Sequence, residues 1–194
     1  MRIVDADVAV VERDLRLGVL ACPGCGGALR PWGWARERVL RCAGEDRRLR
    51  PRRARCRDCR GTHVLLADDA LLRRRDEVAV IGAALVASVA GHGHRRVAVM
   101  LGLPADTVRG WLRRFRRDAV AIRALFVRWA FALDPELGPW TPAGTAAGDA
   151  LEAIGVAVRA WVLRLGPRAT WSLVAVLSGG VLLCHTSCPF PAVG

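Results

Sequence analysis

The sequence predicts a small β module followed by an all-α region, and three observations carry that prediction. Two Cys-x-x-Cys pairs, each followed closely by glycine, stand 30 residues apart with short β-rich runs between and after them. From Asp76 onward the apolar residues recur at helical spacing, interrupted by Gly91-His92-Gly93, Gly102-Leu103-Pro104 and Asp134-Pro135. Positive charge is gathered in the first 120 residues, with twelve arginines against four acids between 21 and 60.

A chain of 194 residues, 53% hydrophobic and 25% charged, has apolar material for a core and room for one domain or a few small modules. A large multidomain enzyme is excluded. The net charge of +12 favours a polyanionic partner such as nucleic acid. All 30 basic residues are arginine, and Lys, Asn, Gln and Tyr are absent, which is the mark of a GC-rich coding sequence. Arginine abundance is thus partly a codon effect, and its placement is more informative than its number.

Met1 to Leu20 carries Asp5, Asp7, Glu12 and Asp14 and no apolar run behind a basic start, so no signal peptide is expected and the chain is expected in the cytoplasm, on the nucleoid. In that compartment paired cysteines point to metal before disulfides. Residues 169–194 contain no charged side chain, but the apolar stretch from Trp171 to Cys184 falls short of the about 20 residues that span a bilayer. It is expected as a buried helix or strand, without membrane contact.

The first pair is Cys22-Pro23-Gly24-Cys25-Gly26-Gly27 and the second Cys56-Arg57-Asp58-Cys59-Arg60-Gly61. Glycine after the second cysteine permits the tight turn in which backbone amides point at thiolates, and two such turns supply four sulfurs to one ion. Leu29 to Ala35, Arg38 to Cys42, Arg53 to Cys56 and Thr62 to Leu66 read as the strands of a zinc ribbon, with Cys22, Cys25, Cys56 and Cys59 holding one structural Zn²⁺. Cys-Pro-Gly-Cys could also serve thiol–disulfide exchange, but that chemistry opens a helix in a βαβ setting and needs no second pair. Cys42 and His63 could replace a ligand, and Cys184, His185 and Cys188 form an incomplete set near the C-terminus. A closed four-sulfur site folds a module and does not activate water. The run through Arg52, Arg53 and Arg55 is expected to contact phosphate.

After Asp76-Glu77, Val78, Ile81, Leu85 and Val89 mark a first helix; His94 to Leu101 and Ala105 to Arg117 follow around Gly102. Ala98 is small where two helices would cross, Gly102 supplies φ > 0, and Val97, Leu101, Leu103, Val108 and Trp111 fall inward, as in a helix-turn-helix. In that geometry Asp106, Thr107, Arg109, Gly110 and Arg113 face base edges, while Arg95, Arg96, Arg114, Arg116 and Arg117 meet phosphates. With no Asn or Gln, readout leans on Arg to guanine and Thr to thymine methyl.

CPGCGG, RARCRDCRGTHVLL and GHRRVAVMLGLPADTVRGWLRRFRRDA, in that order, resemble the zinc-ribbon plus helix-turn-helix proteins associated with insertion sequences of high-GC actinobacteria, and the N-terminal DNA-binding region of transposases. The resemblance covers residues 20 to 120. It implies that the four cysteines hold zinc and that Ala105 to Arg117 reads the element's DNA. Beyond it, stripes of Ile122, Leu125, Phe126, Trp129 and Leu133, then Leu151, Ile154, Val158, Trp161 and Leu165, flank a linker at 139–148. Only Asp134, Glu136, Asp149 and Glu152 are available there, too few for a two-metal nuclease, so no enzyme is expected.

The expected organisation is therefore an N-terminal segment at 1–20, a β zinc ribbon at 21–70, a helix-turn-helix domain at 71–118, and a helical C-terminal region of unassigned role at 119–194. The expected function is sequence-specific binding of double-stranded DNA by an accessory or truncated transposase-associated protein, with a homodimer and a transposase as candidate partners. The alternative is a zinc-containing transcriptional regulator unrelated to transposition.

Overall fold

The structure is a computed structural model and describes residues 1–184. An N-terminal sheet region is followed by five helices. β1 (Arg2–Val4) leads into α1 (Val8–Leu17), then come β2 (Leu29–Trp34), β3 (Arg38–Leu40), β4 (Arg47–Leu49), β5 (Arg52–Cys56) and β6 (Thr62–Ala67). The helices are α2 (Val78–Val89), α3 (His94–Leu101), α4 (Ala105–Leu133), α5 (Ala146–Leu165) and α6 (Thr170–Leu177).

One four-stranded sheet runs β1-β6-β5-β2, with β1 parallel to β6 and the other pairings antiparallel; β3 and β4 form a separate hairpin. Residues 1–20 do not stand apart from this sheet. β1 extends its edge, and α1 covers it, because Val4, Val11 and Leu15 join Leu29, Ala54 and Leu65 in one buried cluster. α1 starts where the Asp7 carboxylate accepts from the Ala9 amide at 2.8 Å and ends at Gly18, whose φ of 69° releases the chain. β4, at Arg47–Leu49, is a strand additional to those read from the sequence.

The helices share a second core. α4 and α5 make the most extensive interhelical contact, with Ile122, Phe126 and Ala130 against a face that includes Ala150, Ala153, Ile154 and Ala157. Alanine at those positions lets the two backbones approach closely. α4 runs without a break across residue 118, since Phe115, Ala119, Ile122, Phe126 and Ala130 form one continuous buried stripe. A division at 118/119 therefore falls inside a helix, and the expected second helix from Ala119 is its second half.

The connection from β6 to α2 ties the two regions together. Asp68 pairs with Arg168, Asp69 with Arg47 of β4, and Asp76 with Arg41 at 2.6 Å. Asp76 and Glu77 do mark the start of α2, but neither side chain caps it: Asp76 is buried against Arg41 instead. Burial pushes all three aspartates above the usual carboxylate range, against the pull of their arginines. The tail segment contributes through α6, where Trp171 packs on Gly82 of α2 and the Leu177 carbonyl accepts from Trp129 Nε1 at 3.0 Å. His185 and Cys188 lie outside the described residues.

A Cβ on Gly82 would come within 1.9 Å of the Trp171 ring. Gly82→Ala is expected to lower stability by about 1–3 kcal/mol through overpacking, read as a shifted urea midpoint with unchanged slope. Stability equal to that of the parent chain would contradict the α2–α6 packing.

Candidate metal centre and nucleic-acid interface

Two turns bring the four cysteines together. The Cys22 amide donates to the Gly27 carbonyl at 2.7 Å, and the Gly26 amide returns to the Cys22 carbonyl at 2.9 Å; the Cys56 amide closes the second turn on Gly61 at 2.9 Å. Gly26, with φ of 77°, takes the left-handed conformation that the first turn requires. Because Leu29 pairs with Cys56 across the sheet, the end of β5 carries the second turn to the first.

The sulfurs of Cys22, Cys25, Cys56 and Cys59 all lie within 4.8 Å of one another. Cys22 and Cys59 are 3.8 Å apart and Cys25 and Cys56 are 3.5 Å apart. A tetrahedral ion with metal–sulfur bonds of about 2.3 Å requires sulfur separations of about 3.8 Å, so the cluster fits such an ion. Donation from the Gly24 amide lowers the Cys22 thiol to about 6. Cys59 receives similar help from Gly61, yet the neighbouring sulfurs of Cys25, Cys56 and Cys22 hold it up at about 12. Four negative thiolates cannot crowd this closely without a cation to offset their repulsion.

His63 is not one of the four, but its Nε2 lies 3.3 Å from Cys22 Sγ, where a ring N–H can support a ligating thiolate. Cys42 sits elsewhere, its sulfur directed to the Leu40 carbonyl at 3.6 Å and its thiol pushed up by burial. Thus only the two Cys-x-x-Cys pairs converge among the described residues.

The arginines of β5 divide by strand alternation. Arg53 is exposed. Arg55 lies over the Trp32 ring, 4.6 Å from its centroid, and donates to the Arg60 carbonyl. Arg52 corrects the expectation of a phosphate contact: it is 16% exposed, donates to Glu12 Oε1 at 2.6 Å and to the Gly33 carbonyl at 2.7 Å, and packs over Trp34. It shares the inward parity of Ala54 and Cys56, and its donors are committed to the fold. Trp32 is a surface residue that sequence reasoning left aside; it falls in the β-bulge between Pro31 and Gly33, half exposed beside Arg55.

In the helical region, α3 ends at Gly102, with φ of 63°. The Leu103 amide donates to the Ala98 carbonyl at 2.9 Å, a left-handed cap that turns the chain into α4. Val97, Ala98, Val108 and Trp111 are buried at the α3–α4 contact, and Leu101 and Leu103 pack against them. This leaves the first turns of α4 open on one side. Asp106 and Arg109, 88% and 65% exposed, pair at 3.2 Å. Arg95, Arg96 and Arg113 are exposed, and Thr107 is half-buried. Arg116 donates to Ser88 Oγ at 3.0 Å, Arg117 pairs with Asp118 at 2.7 Å, and Arg114 donates to the Gly110 carbonyl at 2.7 Å.

Residues 22–99 match a family described as a domain of unknown function (DUF6431). The matched region opens at Cys22, contains all four clustered cysteines and ends within α3. No curated protein matches the chain, and no solved structure does. Among the described residues no helix is long and apolar enough to cross a membrane.

The cluster is expected to hold one metal ion per chain, measured by elemental analysis of gel-filtered protein. Ligands must lose their protons, so retention should fall as pH is lowered. Cys25→Ala with Cys59→Ala, both at exposed positions, should abolish retention and open the β2–β6 region to protease while the helical signal persists. Metal-free wild-type protein with an equally protected sheet would contradict this.

Proposed function

We propose that the protein binds double-stranded DNA in a sequence-specific manner, using α3 and α4 as a helix-turn-helix and a structural Zn²⁺ in the four-cysteine cluster to fold a zinc ribbon beside it. The observation that carries this reading is the open N-terminal face of α4. Asp106 and Arg109 stand exposed there, packed from behind by α3 and flanked by Arg95, Arg96 and Arg113. A helix N-terminus carries partial positive charge, and arginine is the residue best matched to guanine edges and phosphates.

Zinc is the ion that the donor set suits: four thiolates at tetrahedral spacing leave no open position, so the ion organises the fold and has no water to activate. Asp106 and Arg109 restrain one another in the free protein. On a duplex, Arg109 and Arg113 would turn to guanine, Thr107 to a thymine methyl, and Arg95, Arg96, Arg114, Arg116 and Arg117 to phosphates. Exposed Arg53 and half-buried Arg55 would extend the contact onto the ribbon. The order of the two modules supports a role as an accessory or truncated transposase-associated protein of a mobile element, acting on the element's ends.

Footprinting of zinc-loaded protein on the DNA flanking its gene, followed by site selection, tests this. A discrete footprint with guanine at contacted positions is expected. Arg109→Ala should cost about 1–3 kcal/mol at one position and relax its preference, whereas Arg95→Ala should weaken all sequences alike. An A/T-only motif, or no retardation of any duplex, would contradict the reading.

A further inference from the structure

The connection that joins the sheet to the helices brings arginines from outside the expected contact set against the start of α4. A cleft of about 440 Å³ lies between this connection and the start of α4. Six arginines line it, Arg41, Arg73, Arg74, Arg75, Arg113 and Arg114, against only Asp76 and Asp106. Asp76 is already paired with Arg41, and Asp106 with Arg109. An adjoining recess of about 540 Å³ shares Arg73 to Arg75 and adds Arg36, Arg38 and Glu37, the last paired with Arg48. So many cations around one opening repel each other unless an anion enters.

The cleft is held in place by the fold. The Arg41 amide donates to the Arg75 carbonyl at 2.7 Å, and the Glu77 amide donates to the Arg41 carbonyl at 2.8 Å, so β3 and the start of α2 clasp the arginine run between them. Arg73 adopts φ of 59°, a left-handed conformation that a side chain with a Cβ takes at a cost. Arg74 donates inward to the Leu183 carbonyl, leaving Arg73 and Arg75 exposed on either side of it. Several guanidinium donors around the opening are buried without a hydrogen-bond partner among the described residues: Nε of Arg41, Nε of Arg74, and Nε and Nη2 of Arg38. Buried donors of this kind ordinarily have partners.

We infer that the cleft formed by Arg41, Arg73, Arg74 and Arg75 with the start of α4 is a phosphodiester site, which takes the sugar–phosphate backbone of the duplex whose bases α4 reads. This inference rests on the DNA-binding reading and deepens it. Thr107, Gly110 and Arg113 line the same cleft. A strand lying there therefore passes beside the base-reading face and runs onto the sheet region, so both parts of the chain hold one duplex. Arginine forks suit this ligand because they donate two hydrogen bonds to one phosphate.

The test compares full-length wild-type protein with Arg73→Ala/Arg75→Ala and Arg73→Lys/Arg75→Lys, titrated onto the selected duplex across a salt series. Both positions are exposed, so the variants should fold. Each lost phosphate contact removes about 0.9 from the slope of log affinity against log salt. The alanine pair is expected to lower that slope by about two and weaken specific and random duplexes by the same factor, leaving the preferred sequence unchanged. The lysine pair should keep the slope. Neutralising single phosphates as methylphosphonates beside the selected site should weaken wild-type binding and leave the alanine pair unaffected.

An unchanged slope and affinity in the alanine pair, with wild-type binding intact, would overturn the cleft assignment alone. Absence of duplex binding by wild type would overturn it together with the DNA-binding reading. Tripolyphosphate supplies the arm for a free ligand. If it binds the wild-type cleft more tightly than the duplex does, and the alanine pair loses it, the cleft serves a small phosphate compound and the backbone assignment fails.

Discussion

Repulsion among four sulfurs is the constraint on which the N-terminal half depends. Within 4.8 Å of one another, Cys22, Cys25, Cys56 and Cys59 can share a site as neutral thiols or as thiolates around a cation, but not as bare anions. The backbone favours ionisation, since the Gly24 and Gly61 amides point at Cys22 and Cys59. The apolar cluster behind these turns is small, comprising little beyond Val4, Val11, Leu15, Leu29, Ala54 and Leu65. A module with so modest a core gains from a metal clasp in the way small domains generally do.

A second constraint is electrostatic and joins this module to the helices. Asp68, Asp69 and Asp76 are drawn out of water and each meets an arginine from a different segment: Arg168 before α6, Arg47 in β4 and Arg41 after β3. Buried pairs of this sort cost desolvation, and their value lies as much in fixing a relative placement as in adding stability. What they fix is the seam along which the arginine run of 73–75 faces the start of α4. The proposed grip on a duplex rests on that placement, because the arginine run and the first turns of α4 line one cleft.

Much of this was legible in local signals. The two Cys-x-x-Cys pairs, each with glycine close behind, identify the cluster because turn chemistry is local, and Gly102 with Ala98 identifies the α3–α4 corner because only a small residue and a left-handed cap fit there. His94–Leu101 has the very bounds that punctuation by Gly93 and Gly102 implies. Illegible features were those made by partners distant in sequence. Nothing near Arg52 announces Glu12, 40 residues away, although its parity with Ala54 and Cys56 was a usable warning. The parallel pairing of β1 with β6 and the clasp of Arg41 on Arg75 are likewise non-local. A basic first half and an apolar second half make α4 look like two helices in the sequence, although both share one buried stripe.

Four cysteine sulfurs placed to hold a metal ion sit where the two turns of the sheet meet, and the proposed ion there is zinc. X-ray absorption at the zinc edge of purified, metal-replete protein measures it directly. Four sulfur scatterers at about 2.3 Å, with no nitrogen or oxygen in the shell, are the predicted result. A shell with fewer than four sulfurs, or one including water or imidazole, would contradict it.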